Sequence, residues 1–448
     1  MRKWAVMLGG TALVVTFLLA GSWGVSRLRG PSPAQRAAVA ELSALPPVDG
    51  PNAFQALWQL AWAIPASERD VVFAEDVRRW RAATVDSTVV PEPASVAARR
   101  YPATLTEPDR ARLCTSGREC LARVQADPAK YADVVARNRD WFDRLESLSA
   151  YAGLRDPFGY PAAMPLPDHL QLGVQLRTRY ALDFVQGRRD AAFDGTCRAI
   201  ATWRRLGANS DTLVARLVAA AHVRASYADL FLSMLAQVPR DFVLPSSCDA
   251  AFAPPTARES SLCDAARGEF AYARSRVLPS ARRHAGGVLD ALGEALTYDE
   301  RMAVAEQAMR FIPFCAAETT AKIRADEAFV AGRGIAVPLA RLECVSDMAG
   351  CIMGEIGKRA DNDYAAQVED ANARIRLIAE LLRLRAATSE TGSVLERLEA
   401  RHAVIGAAAR KLRMIDDGRA LCLDSCRVRP DEPCWRVPLP PYFQVASH

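Results

Sequence analysis

The stretch "VQLRTRYALDFVQGRRDAAFDGTCRAIATWRRLGANSDTLVARLVAAAHVRASYADLFLSMLAQVP", residues 174–239, decides the fold. Its apolar residues recur at three- and four-residue steps, the period of an amphipathic helix, and strand-like alternation is missing. Gly187 breaks one helix from the next, Gly207 is placed to C-cap the second, and Ser210 or Asn209 to cap a third that runs to Leu235. Short joints make successive helices antiparallel neighbours, so the block predicts stacked helical hairpins.

The pattern continues on both sides. Upstream, "TEPDRARL" offers Thr106 as a cap with Pro108 in the first turn, and "ADPAKYADVVARNRDWFDRLESLSAY" offers Asp127 followed by Pro128. In "DGPNAFQALWQLAWAIPASERD" Phe54, Leu57, Trp58 and Trp62 follow a helical step, and Trp58, Trp62 and Trp80 read as core rather than as a ligand platform. "GLRDPFGYPAAMPLPDH" lacks a period and reads as a surface loop. Downstream, the proline-rich "VPRDFVLPSSCDAAFAPPTARES" is a hinge, and helical patterns resume at about 260–312, 316–331, 347–386 and 391–416. In the last thirty residues "ALCLDSC" and "CWRVPLP" suggest a short hairpin. The expected fold is all-α, an elongated array of antiparallel helical hairpins in two lobes, with an N-terminal transmembrane helix and a short non-helical C-terminal tail. The parts are 1–26 (anchor), 27–50 (proline-bearing linker), 51–257 (first lobe), 258–417 (second lobe) and 418–448 (cysteine-containing tail).

The uncharged run Trp4–Val25 follows Arg2 and Lys3 and is closed by Ser26 and Arg27. About 22 residues make roughly 33 Å of helix, enough to span a bilayer. The run exceeds an ordinary signal-peptide core, so an uncleaved anchor is expected, with cleavage near Ala20-Gly21-Ser22 as the alternative. Eleven cysteines, several in short polar loops, point to an oxidising compartment. An arginine- and alanine-rich composition with five lysines points to a bacterial source. The expected location is the bacterial inner membrane, single-pass, with the bulk in the periplasm, or the periplasm itself after cleavage. Basic and acidic residues nearly cancel, 57 against 52, which gives no electrostatic case for nucleic acid.

The cysteines form candidate disulfides. "CTSGREC" (Cys114, Cys120) and "CVSDMAGC" (Cys344, Cys351) carry glycine at the turn, and Cys248 and Cys263 flank the hinge and would close it covalently. In "CLDSCRVRPDEPC" the three-residue gap between Cys422 and Cys426 excludes a redox C-x-x-C, and a fourth zinc ligand is missing. Cys434 is expected to bond Cys422 or Cys426, the third cysteine then needing a distant partner such as Cys315 or Cys197, either of which also qualifies as the odd thiol.

Chemistry is sparse. No G-x-S-x-G, H-E-x-x-H, S-x-x-K or G-x-G-x-x-G occurs, and "GCIMGEIGKR" lacks the first glycine of a phosphate loop. The five histidines include no i, i+3 or i, i+4 pair; His222 reads as core, and His169 is the one in a segment able to line a cleft. No catalytic, cofactor or metal residue is assigned. "FVQGRRDAAFDGTCRAIATWRRLGANSDTLVARLVAAA" and "ANARIRLIAELLRLRAA" resemble a group of bacterial extracytoplasmic helical proteins to which no activity attaches. The first stretch is also similar in style to tetratricopeptide-like hairpins, without their strict 34-residue period. The expected function is a membrane-anchored periplasmic binding or scaffold protein with a protein partner in the envelope. Alternatives are an enzyme on envelope polymers with carboxylates between the lobes, and a neutralising partner for a periplasmic toxin.

Overall fold

Residues 174–239 fold as α3 (Leu176–Val185), α4 (Arg189–Ala208), α5 (Leu213–His222) and α6 (Ala228–Leu235), with a single π-turn at Val223–Tyr227 joining the last two. The computed structural model describes residues 2–86, 92, 94–159, 166–167, 170–277, 287–327, 329, 341–387, 392–400, 410–429 and 432–443. Gly187, at φ +83°, turns the chain between α3 and α4 in a conformation that side chains resist. Gly207 is not a cap: it lies inside α4, where an added Cβ would come within 2.8 Å of the Ala219 Cβ, so its bareness lets α5 pack close. Thr212, rather than Ser210 or Asn209, caps α5, its hydroxyl accepting from the Ala215 amide at 3.1 Å. Thr106 and Asp127 cap their helices through the amides of Asp109 and Lys130.

The N-terminal α1 (Arg2–Arg29) and α2 (Pro33–Ser43) precede this block. The helix after Asn52 is only Phe54–Trp58, and Trp62 falls outside it. Trp58 and Trp80 are buried edge-to-face, and their indole N–H groups donate to Asp76 and the Ala94 carbonyl. Beyond the proline-rich segment come α7 (Cys263–Tyr272), α8 (Val288–Thr297), α9 (Glu300–Phe311), α10 (Ala317–Ala325) and the 39-residue α11 (Met348–Ala386). The helix expected over 391–416 is only partly present. Val394–Glu399 is helical, but Leu412–Ile415 is strand β1, which pairs antiparallel with β2 (Ala420–Arg429), itself paired with β3 (Glu432–Pro438). Asp416 and Asp417, both at positive φ, and Gly418 make the β1–β2 turn. The molecule is 68% helix and 6% strand, so the sheet is an appendage to a helical body.

That sheet is packed rather than trailing. Trp435 is 1% exposed, donates to Asp229 of α6 at 2.8 Å and carries the Arg374 guanidinium over its ring. One apolar cluster runs from Ala53 to Phe252 and resumes from Ala373 to Phe443. A second joins α2, α7, α9 and α10 to Leu213, Ala365 and Val368. The long α11 serves both clusters. Along α1 the side chains of Leu13, Val14, Phe17, Leu18 and Leu19 are exposed, yet among the described residues no helix is long and apolar enough to cross a membrane.

Candidate functional site

Two walls of a groove of about 820 Å³ are built from α7 and α10, closed by the linker prolines Pro46 and Pro47 and the end of α4. Ala317, Ala321 and Ala325 recur every four residues on α10 and form a low apolar strip, with Thr320 and Arg324 beside it. On the opposite wall stand Ala257, Arg258, Ser261, Asp264 and Arg267. A disulfide from Cys263, the first residue of α7, to Cys315, just before α10, staples the walls. Glu41 lies near these two sulfurs, but thiols spent in a disulfide do not offer a cation ligand set.

The groove's carboxylate, Asp264, accepts from Arg155 at 2.7 Å, Arg267 at 3.3 Å and Arg258 at 3.4 Å. Glu259, capping the helix Ala257–Ser260 reciprocally with Thr256, receives both arms of Arg204. These pairs fix the wall that carries the arginines. The lining thus presents Arg258, Arg267 and Arg324 against one acid already engaged, over a floor of methyl groups. Among the described residues no second carboxylate lines it, so these residues do not supply an acid–base pair in the groove.

A buried carboxylate pair lies elsewhere. Asp347 caps α11, Oδ1 accepting from the Gly350 amide at 3.3 Å and the Asp299 amide at 3.2 Å, while Asp299 caps α9. Burial, with Asp299 and Glu306 nearby, lifts the Asp347 carboxyl to about 7. Neither aspartate lines the groove, and the pair serves helix ends. His222 is also structural. It is 4% exposed, its Nε2–H donates to the Leu170 carbonyl at 2.8 Å, its ring meets Trp203 edge-on, and burial lowers it to about 4. His169 lies outside the described residues.

The structure pairs Cys114 with Cys120, Cys344 with Cys351 and Cys422 with Cys434. It corrects the remaining assignments. Cys248 does not meet Cys263 across the hinge: Cys248 bonds Cys197 of α4, and Cys263 bonds Cys315. Neither Cys197 nor Cys315 is therefore the odd thiol, and Cys426 has no distant disulfide partner. Its amide donates to Asp370 at 2.8 Å, and burial pushes its thiol up to about 12, an unreactive form. Beside it Arg410, 5% exposed at the side chain, bridges Asp326 and Asp370 at 2.6 Å each and donates to the Asp424 carbonyl. This cluster clamps the sheet to α10 and α11.

Sequence reasoning missed Arg410, Asp326, Asp370 and the Arg155–Asp264 pair, because each of these contacts joins residues that no local pattern relates. Comparison with protein-family models, curated proteins and solved structures returned no match.

Proposed function

We propose that this chain is a membrane-anchored binding or scaffold protein of the bacterial cell envelope, single-pass in the inner membrane with its bulk in the periplasm. Its groove takes an extended, acidic segment of a protein partner. The observation that carries the reading is the groove between α7 and α10, where a methyl floor is flanked by three arginines and stapled by Cys263–Cys315. Such a surface suits a chain that lays apolar side chains on the alanines and carboxylates against the guanidiniums. Five disulfides support an oxidising compartment. The exposed apolar side chains of α1 support the anchor.

The reading is tested with the full-length protein and libraries of immobilised heptapeptides. Acidic-apolar peptides bind at least about tenfold tighter than basic-apolar ones, the preference weakens with salt, and Arg324→Glu abolishes it. Equal binding of both libraries contradicts the groove assignment. Resistance of the protein to alkaline carbonate extraction from membranes tests the anchor separately.

A further inference from the structure

A second cavity, about 470 Å³, lies where α1 ends and plays no part in the groove. Arg29 at the end of α1, Arg310 of α9 and Arg341 line it. Among the described residues its one acidic lining residue, Glu306, is buried and held: Arg341 donates to its two oxygens at 2.7 and 3.1 Å, and Gln35 donates at 2.9 Å. The lining therefore sets three guanidiniums against one carboxylate that is already engaged.

Apolar side chains are exposed on the helices beside it. Val25 and Leu28 on α1 and Leu292 and Leu296 on α8 are exposed, Leu28 to 88%, and Met309 lines the cavity with its side chain 40% exposed. The end of α8 is held against α1: Trp23 Nε1–H donates to the Leu296 carbonyl at 2.7 Å, and Arg27 donates to the Ala295 and Tyr298 carbonyls at 3.2 and 3.0 Å. Trp is the residue that settles at a membrane interface. From Trp23 to Arg29 is roughly 9 Å along the helix, comparable with a headgroup layer of about 5–8 Å. A cavity at that depth, basic inside and fringed by apolar side chains, matches a lipid with a negative headgroup and two acyl chains.

We infer that this cavity binds the phosphate of an anionic phospholipid headgroup, the acyl chains lying along the exposed apolar residues of α1 and α8. The inference rests on the anchor proposed above. Arg29 and Arg310 supply the phosphate contacts, and Arg341 keeps Glu306 neutralised so that the anion is not repelled.

Native mass spectrometry of the full-length protein, released from neutral detergent doped equally with phosphatidylglycerol and phosphatidylcholine, tests it. The wild type retains phosphatidylglycerol preferentially, and Arg29→Gln combined with Arg310→Gln reduces that preference roughly thirtyfold, the equivalent of about 2 kcal/mol. Arg341 is left intact because its loss would strand buried Glu306. A second variant, Gly354→Leu, narrows the cavity; a Cβ there meets nothing nearer than the Glu306 carbonyl at 4.0 Å, an unchanged thermal midpoint checks that the variant folds, and it too removes the preference. Equal retention of both lipids, or a preference unchanged in both variants, overturns the inference. So does retention of added inorganic phosphate without lipid preference, which assigns the cavity to a soluble anion. Carbonate extraction separates the two failures: a protein released from membranes contradicts the anchor, whereas one that stays without lipid preference contradicts only the cavity.

Discussion

Two buried titrating residues push stability in opposite directions with pH. His222, held at about 4 against an ordinary 6.5, is neutral in the folded protein, so its contribution is present above about pH 6.5 and lost as pH falls toward 4. Asp347, lifted from 3.8 to about 7, contributes fully below about pH 4 and loses that contribution as pH rises through 7, when a charge forms beside Asp299 and Glu306. Asn caps a helix as well as Asp does. Asp347→Asn is therefore more stable than wild type at pH 8 by roughly 2–4 kcal/mol, and the gap closes below about pH 4. Denaturant unfolding across that range checks this; a gap that does not vary with pH contradicts it. Arg410 makes the opposite case. Arg410→Ala leaves Asp326 and Asp370 buried without their counter-charge and costs roughly 3–5 kcal/mol, measured as a lowered urea midpoint.

At the scale of elements, what was legible was what is local. Caps such as Thr106 and Asp127 declare themselves within four residues, and the short pairs Cys114–Cys120 and Cys344–Cys351 are separated by only 6 and 7. The Cys197–Cys248 bond was not legible, because it depends on α4 passing beneath the helix Ser247–Ala251, a tertiary fact. Strand β1 is legible in Asp417-Gly418, a hairpin signal between apolar alternations, although a helical period also runs through this stretch. The long-range bond is also the more consequential. Under the loop-closure treatment, a separation of 51 residues corresponds to about 4 kcal/mol and a separation of 6 to about 2 kcal/mol. The paired variant Cys197→Ala/Cys248→Ala should lose about twice the stability lost by Cys114→Ala/Cys120→Ala. Calorimetry of both pairs decides, and equal losses contradict the loop-closure account.

At the scale of the whole molecule, the two apolar clusters are interleaved along the sequence, and α11 runs through both, with Val368 in one and Leu377 in the other. Periodicity alone predicts α11 but not this sharing, since a helix with a broad apolar face carries no label saying which neighbours cover which turn. The groove follows from the arrangement, because α10 packs on α11 in the second cluster while α7 is anchored through Asp264 to Arg155, in the segment before α3. Its most direct test is photo-cross-linking in living cells from a benzophenone side chain placed at Ala321, on the groove floor. The account predicts a discrete adduct with an envelope protein that carries an acidic-apolar segment, abolished by Arg324→Glu. No adduct from position 321, or one that Arg324→Glu leaves unchanged, would contradict it.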